Sequence, residues 1–246
     1  MCRLLGFVSS EPESFAQAVG ENLNEFIHLS TVHCDGWGIA TLDEKTAAAH
    51  VSRAPELAES SSKFAKTLAS TNSDGALLHL RWATAGLPVS ENNTHPFTHN
   101  GFTFIHNGGI NPPNALDSEI APKFNEFILG QTDSERYFYF LLTQIESLGL
   151  VDGVKSAVNK LRNGFDFSSI NAMLMTDQFF ITICEHDKSF KPAWADDDYY
   201  DLFYKPEQGQ VIVASSGWDQ AGWINLPNHH ILIVDRASLS AKVLAL

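Results

Sequence analysis

The sequence predicts an α+β layered domain. Groups of short strands alternate with groups of helices, no regular strand–helix–strand repeat is visible, and 44% of the 246 residues are hydrophobic, enough to fill a large core. At 18% charged, the chain does not have the composition of a disordered one. No internal repeat, low-complexity tract or flexible linker divides it, so residues 1–246 are read as one domain.

Residues 2–9 form an apolar run stopped by the turn-prone Ser9-Ser10-Glu11-Pro12, a strand signature that puts the Cys2 thiol at a strand start. Phe15, Ala18, Val19, Leu23, Phe26 and Ile27 recur at helical spacing and predict a helix over residues 13–28, weakened by Gly20. Gly36–Leu42 and residues 47–53 read as strands joined by the polar turn Asp43-Glu44-Lys45-Thr46, and residues 55–69 as a helix with Pro55 near its first turn. In residues 75–83 the run Ala76-Leu77-Leu78-His79-Leu80 reads as a buried strand, with His79 and Arg81 alternating in phase on one face. Residues 86–100, rich in Pro, Asn, Thr and Ser, read as an ordered surface loop. Residues 102–106 form an apolar strand ended by Asn107-Gly108-Gly109. A helix over residues 133–147 takes Thr132 or Asp133 as its N-cap and Glu135 in its first turn, and residues 150–161 continue as a second helix. Short strands follow at 170–176, 178–184, 202–204, 211–215, 230–234 and 242–246.

Sixteen Lys and Arg against 29 Asp and Glu give a net charge of −13, which argues against nucleic acid or an anionic membrane as partner. Three cysteines, Cys2, Cys34 and Cys184, are an odd set too sparse for a disulfide framework and suggest free thiols in a reducing compartment. The N-terminus lacks a basic region followed by about 7 to 15 apolar residues, and no apolar stretch approaches the roughly 18 residues needed to span a bilayer. A cytoplasmic protein is expected. Asp196-Asp197-Asp198 reads as a solvated loop. His33, His79, His95, His99 and His106 cluster in one half of the chain, but no helix-borne zinc motif, Cys-x-x-Cys pair or EF-hand loop accompanies them. They are read as hydrogen-bonding structural histidines, with no metal and no cofactor expected.

Removal of Met1 would put a free amine and a thiol on one residue, Cys2. An α-amine ordinarily titrates at about 7.7 to 8.0 and a cysteine thiol at about 8.5, so a substantial fraction of the amine is free base near neutrality. It can take the thiol proton, directly or through a water, without a separate histidine. Taken alone, Cys2 reads as a tolerated small residue, Asn107-Gly108 as a hairpin turn, Arg81 as half of a structural ion pair and Asp133 as a helix cap.

The blocks stand in a fixed order: Met1-Cys2-Arg3-Leu4-Leu5-Gly6, His33-Cys34-Asp35-Gly36-Trp37-Gly38, His79-Leu80-Arg81-Trp82-Ala83-Thr84-Ala85-Gly86, Glu91-Asn92-Asn93-Thr94-His95-Pro96-Phe97, His106-Asn107-Gly108-Gly109 and Thr132-Asp133-Ser134-Glu135. This set resembles the class II glutamine amidotransferases, specifically over residues 2 to about 135 and more weakly through Asn171–Asp177 and Val213–Ser216. The resemblance implies a four-layer αββα sandwich of the N-terminal-nucleophile hydrolase type. It implies that Cys2 attacks the γ-carboxamide of glutamine or of a γ-glutamyl amide and forms a thioester, that Asn107 and Gly108 bind the oxyanion, and that Arg81 clamps the α-carboxylate. Asp133 then holds the α-ammonium group, while Trp82 and Thr84 line the pocket. Gly36, Trp37 and Gly38 shape nearby backbone, Cys34 is a near-site thiol and Cys184 a buried strand residue. Ala85 stands where hexosamine-forming members carry His, and the 246 residues leave no room for an acceptor domain, as in short members such as the γ-glutamyl amidase of ergothioneine biosynthesis. The later residues, with Ser215, Ser216 or Trp218, are expected to cover the site. Two alternatives stay open: an ammonia-donating subunit of a separate synthase partner, and a non-catalytic glutamine-binding regulatory protein.

Overall fold

Residues 2–42 and 48–246 are described by the computed structural model; Met1, the predicted turn Asp43-Glu44-Lys45-Thr46 and Ala47 lie outside them. Strand β1 (Arg3–Glu13) begins directly after Cys2 and outlasts the predicted stop at Ser9. Ser14 then caps α1 (Phe15–Val19) in a reciprocal box with Gln17. Gly20, at φ +79°, ends that helix. A 3-10 turn (Gly20–Asn22) separates it from α2 (Leu23–His28), so the single predicted helix is two. After β2 (Gly36–Leu42) and β3 (Ala49–Ala54), the predicted helix over 55–69 shrinks to α3 (Ser62–Ser70). Ser61 caps it by accepting from the Phe64 N–H at 2.9 Å, and Pro55 lies outside it.

Strand β4 (Ser73–Arg81) leads into the Pro- and Asn-rich loop, which contains β5 (Phe97–His99) and, contrary to a surface reading, buries Asn93, Thr94 and His95. Strand β6 (Phe102–Asn111) runs through Asn107-Gly108-Gly109, so the expected turn there is replaced by strand. Helices α4 (Asp133–Leu148), capped by Thr132, and α5 (Leu150–Gly164) follow as predicted. The remaining strands are β7 (Asp166–Met175), β8 (Phe179–Cys184), β9 (Leu202–Glu207), β10 (Gln210–Ser215), β11 (Ile224–Leu226), β12 (His230–Asp235) and β13 (Ala241–Ala245).

Two antiparallel sheets result, ordered β11-β9-β10-β1-β4-β2-β3 and β13-β12-β8-β7-β6-β5. Strand alternation sorts their faces. On β4, Ala76, Leu78 and Leu80 pack with Phe15, Phe26, Trp37 and Phe64 under α1–α3. Leu77, of the other parity, meets Ile105, Met173 and Phe180 between the sheets. The far face of the second sheet packs Phe104, Leu174 and Ile181 against Phe138, Leu141 and Val158 of α4 and α5. The layers are therefore helix, sheet, sheet, helix, the αββα sandwich. Gly6 lets the sheets approach, since a Cβ there would lie 2.8 Å from Leu77 Cδ2 and 2.9 Å from Phe180 Cζ. Arg236 pins one sheet to the other, donating to the Leu42 and Thr176 carbonyls at 2.8 Å and to Asp74 at 2.9 Å.

Candidate active site

The chain start is carried into the middle of the first sheet, where β1 lies between β10 and β4. Arg3 pairs with Leu80, so antiparallel register brings the end of β4 beside Cys2. Cys2 is buried, its Sγ lies 3.9 Å from the Trp82 carbonyl oxygen, and its nitrogen donates to Asn107 Oδ1 of the second sheet at 2.6 Å. An N–H can only donate, so this bond orients the amide: Oδ1 faces Cys2 and Nδ2 points elsewhere. That Nδ2 is buried with no hydrogen-bond partner among the described residues. Burying an unpaired donor costs about 1–3 kcal/mol. The arrangement suits an acceptor that arrives with the substrate.

Gly108 pairs with Ile170, and a Cβ there would overlap the Ser169 carbonyl, so close backbone approach and not turn formation requires glycine. The β6–β7 register shifts between Gly109 and Ile110. This irregularity leaves the Ile110 N–H for Asp133 Oδ2, at 2.8 Å. Thr132 caps α4 through the Glu135 N–H at 3.2 Å, placing Asp133, 5% exposed, at the first helical position. No cation pairs with Asp133 among the described residues.

Arg81, at the end of β4, is 3% exposed. Its guanidinium donates to the Asp35 carbonyl (Nη1, 3.5 Å) and the Pro88 carbonyl (Nη2, 3.3 Å), and no carboxylate lies within 4.0 Å of it among the described residues. Burial lowers its pKa, and the neighbouring Cys2 and Asp35 oppose that shift. A guanidinium nevertheless keeps its proton in proteins. A buried cation holding only carbonyls suits an incoming anion. Asp35 Oδ2 instead accepts from the Ala83 N–H at 2.8 Å and holds the Trp82–Thr84 backbone. Thr84 is exposed at the rim, its carbonyl closing a turn to the Leu87 N–H at 3.0 Å. The Arg81 and Asp133 pairings read from the sequence as alternatives, an ion pair and a side-chain cap, do not occur among the described residues.

Sequence reasoning missed several participants. Asn93 joins the loop to the approach of α4, donating to Pro88 O at 3.0 Å and accepting from Gln131 N at 2.8 Å. Arg3, 5% exposed beside the thiol, donates to Tyr199 O at 2.7 Å and lies 4.0 Å over the Tyr199 ring. Its signal was a charge inside an otherwise apolar strand. The cover over this end of the sheets is residues 188–201. Ser216 fastens it through Asp198 O at 2.6 Å and Asn171 through Tyr200 O at 2.6 Å. Ser215 accepts from the Leu4 N–H at 3.0 Å, whereas Trp218 packs on Phe26 and Trp223 at the helical face, away from the cover. Cys34 is exposed between His33 and Asp35. Cys184 is buried, and burial pushes its thiol pKa far up.

Burial makes the histidines here weak bases. His33 Nδ1 must donate to the Leu29 carbonyl (2.7 Å), so Nε2 accepts from the Tyr199 hydroxyl (3.1 Å). Burial, aided by Arg3, lowers its pKa to about 3. His79 and His95, with ring centroids 4.0 Å apart, are held well below their usual pKa, chiefly by burial. Among the described residues no group of three His, Cys, Asp or Glu is arranged to hold a metal, and no helix is long and apolar enough to cross a membrane.

Residues 1–184 match the family model described as class II glutamine amidotransferases. The "Probable glutamine amidotransferase DUG3" of Saccharomyces cerevisiae is 29% identical over 168 residues, covering 61% of this chain and 47% of its own. The glutamine–fructose-6-phosphate aminotransferase of Lactococcus lactis is 27% identical over 176 residues, covering 70% of this chain and 27% of its own. The matches thus span less than half the length of these relatives. Among solved structures, a glutamine aminotransferase class-II domain protein from Silicibacter pomeroyi superposes with TM-score 0.70, 17% identity and 99% coverage of both chains. The glutamine phosphoribosylpyrophosphate amidotransferase of B. subtilis gives TM-score 0.67 and 17% identity, covering 99% of this chain and 49% of that one.

Proposed function

We propose, on the premise that this chain belongs to the class II glutamine amidotransferases, that it hydrolyses the γ-amide of glutamine or of a γ-glutamyl amide through a Cys2 thioester. The observation that carries this reading is the unpaired, buried Nδ2 of Asn107, whose Oδ1 is tied to the Cys2 nitrogen. Once Met1 is removed, one N–H of the Cys2 amine remains on Asn107 and the lone pair takes the thiol proton. Sγ bonds to the amide carbon, and the oxyanion accepts from Asn107 Nδ2 and the Gly108 N–H. The C–N bond then breaks and the proton passes from the Cys2 amine to the departing nitrogen. Water adds to the thioester, the C–S bond breaks, and glutamate leaves with the thiol restored. Ammonia or an amine is the other product. Arg81 and Asp133 grip the α-carboxylate and α-ammonium, and Trp82 and Thr84 border the amide.

The lowered basicity of the buried His33, His79, His95 and His106 supports the amine as base. The sheets share one interface and the chain crosses between them repeatedly, which supports residues 1–246 as a single domain. Protein whose intact mass lacks Met1 should release ammonia from glutamine, or amine from γ-glutamyl amides, and Cys2→Ala should abolish it. Equal turnover by Cys2→Ala would overturn the mechanism. Binding of glutamine without turnover would instead indicate a regulatory protein. The likeness to the Lactococcus lactis glutamine–fructose-6-phosphate aminotransferase, 27% identical over 176 residues, favours a second reading, ammonia donation to a synthase. Co-purification with a synthase and ammonia transfer to its acceptor would support it.

A further inference from the structure

The substrate carbonyl bonded to Sγ carries two arms. On the proposed reading, the glutamyl arm runs inward to Arg81 and Asp133, which are 3% and 5% exposed. The amine must then leave on the more open side. Half-buried Trp82, whose carbonyl faces Sγ at 3.9 Å, lies there, and its ring meets that of Trp194 at 5.1 Å and 43°. Trp194 is 53% exposed, a large indole left half in water against the ring of the residue whose carbonyl faces Sγ.

This pair is held, not adrift. Tyr199 meets Trp194 edge-on at 5.5 Å and is itself fixed by Arg3 over its ring and by His33 on its hydroxyl. Lys191 ties the segment to itself, donating to the Ala195 carbonyl at 2.5 Å and pairing with Asp197 at 3.3 Å. A preset aromatic surface binds a flat group without the entropy cost of ordering it first. Glutamine, whose leaving group is ammonia, has nothing to place on it.

We propose that Trp194, with Trp82, forms a subsite for the amine moiety, and that the preferred substrates are γ-glutamyl amides of amines bearing a flat aromatic group. The proposal rests on the amidase reading above and narrows its substrate class. Trp194 acts as a specificity residue, and the bonds made and broken are those already described, the aryl-bearing amine departing with the proton from Cys2.

The test compares γ-glutamylbenzylamide with γ-glutamylmethylamide, two alkylamides in which C–N cleavage is chemically similar. One stacked ring, with its buried area, corresponds to about a tenfold preference in kcat/KM. Wild type should show that ratio, Trp194→Ala should bring it near one, and Trp194→Phe should keep part of it. A wild-type ratio near one, an unchanged ratio in Trp194→Ala, or Cys2-dependent turnover of glutamine alone overturns the subsite and leaves the amidase reading standing. No Cys2-dependent turnover of any of the three substrates overturns both.

Discussion

Replacing Asn107 with aspartate separates the two jobs assigned to its amide. The variant keeps an oxygen for the Cys2 nitrogen, now 2.6 Å from Oδ1, and deletes the unpaired Nδ2. Loss of one oxyanion donor costs about 10² to 10³ in kcat, or about 2.7–4 kcal/mol. A second effect adds to it. Asn107 is fully buried, and an opposite charge within hydrogen-bond distance raises an amine's pKa by about 1 to 3 units, removing about tenfold of the free base per unit below that pKa. At pH 7.5 the expected fall in kcat is therefore about 10³ or more, with KM for glutamine within a few-fold because Arg81 and Asp133 are untouched. Ammonia release followed across pH separates the parts. Raising the pH to 9.5 should recover the factor due to the amine, and the donor's 10² should remain. A folded Asn107→Asp protein that keeps more than a tenth of wild-type kcat, or loses activity through KM alone, refutes the oxyanion assignment.

Arg81→Met removes a planar cation whose charge-assisted hydrogen bonds are worth about 1.5–3 kcal/mol each. The variant should raise KM about 10²-fold, equally for glutamine and any γ-glutamyl amide, as read by steady-state kinetics. Acid should destabilise the fold through its buried histidines. Burial, the first cause in both, lowers His33 to about 3 and, with Lys188 next, His186 to about 4 from an ordinary 6.5. Depressed folded values mean that the unfolded chain binds more protons between those values and 6.5, so this stability is complete above about pH 6.5 and declines as pH falls, by about 1.4 kcal/mol per unit per histidine. Urea unfolding at pH 7 and 4.5 should differ by about 5 kcal/mol from these two groups, and equal midpoints would refute the account. Arg236→Met strips the Leu42 and Thr176 carbonyls and Asp74 of a shared donor; a loss of about 3 kcal/mol in denaturant unfolding is expected.

Local chemistry made much of the chain legible. Thr132 caps α4 as its position before an apolar helical run requires, and the run after Cys2 is a strand because apolar and β-branched residues outnumber breakers there. The ordered blocks around Cys2, Arg81, Asn107 and Asp133 pointed to one family, and residues 1–184 match it. Failures came where a local signal met a tertiary demand. Asn107-Gly108 carries a turn signature, but the ladder to β7 continues through it because Gly108 lets two backbones meet without a Cβ between them. Gly20 split a periodic helix because periodicity reports which side faces the core, not whether the backbone continues.

The sequence by itself determined the fold class and most of the order of elements, though not β5, β11 or the break between α1 and α2, and it picked out a thiol, a cation, an amide and a carboxylate as site candidates. Tertiary structure decided which atoms of these groups are satisfied. Cys2 and Asn107 stand 105 residues apart, on different sheets, and only the stacking of those sheets orients the amide so that Oδ1 is paired and Nδ2 is not. The same stacking leaves Arg81 with carbonyls alone and brings Tyr199, from a segment read only as a solvated acidic loop, against Arg3 beside Cys2. Hydrogen-bond satisfaction depends on contacts distant along the chain, and a periodic pattern read over a few residues contains no information about them.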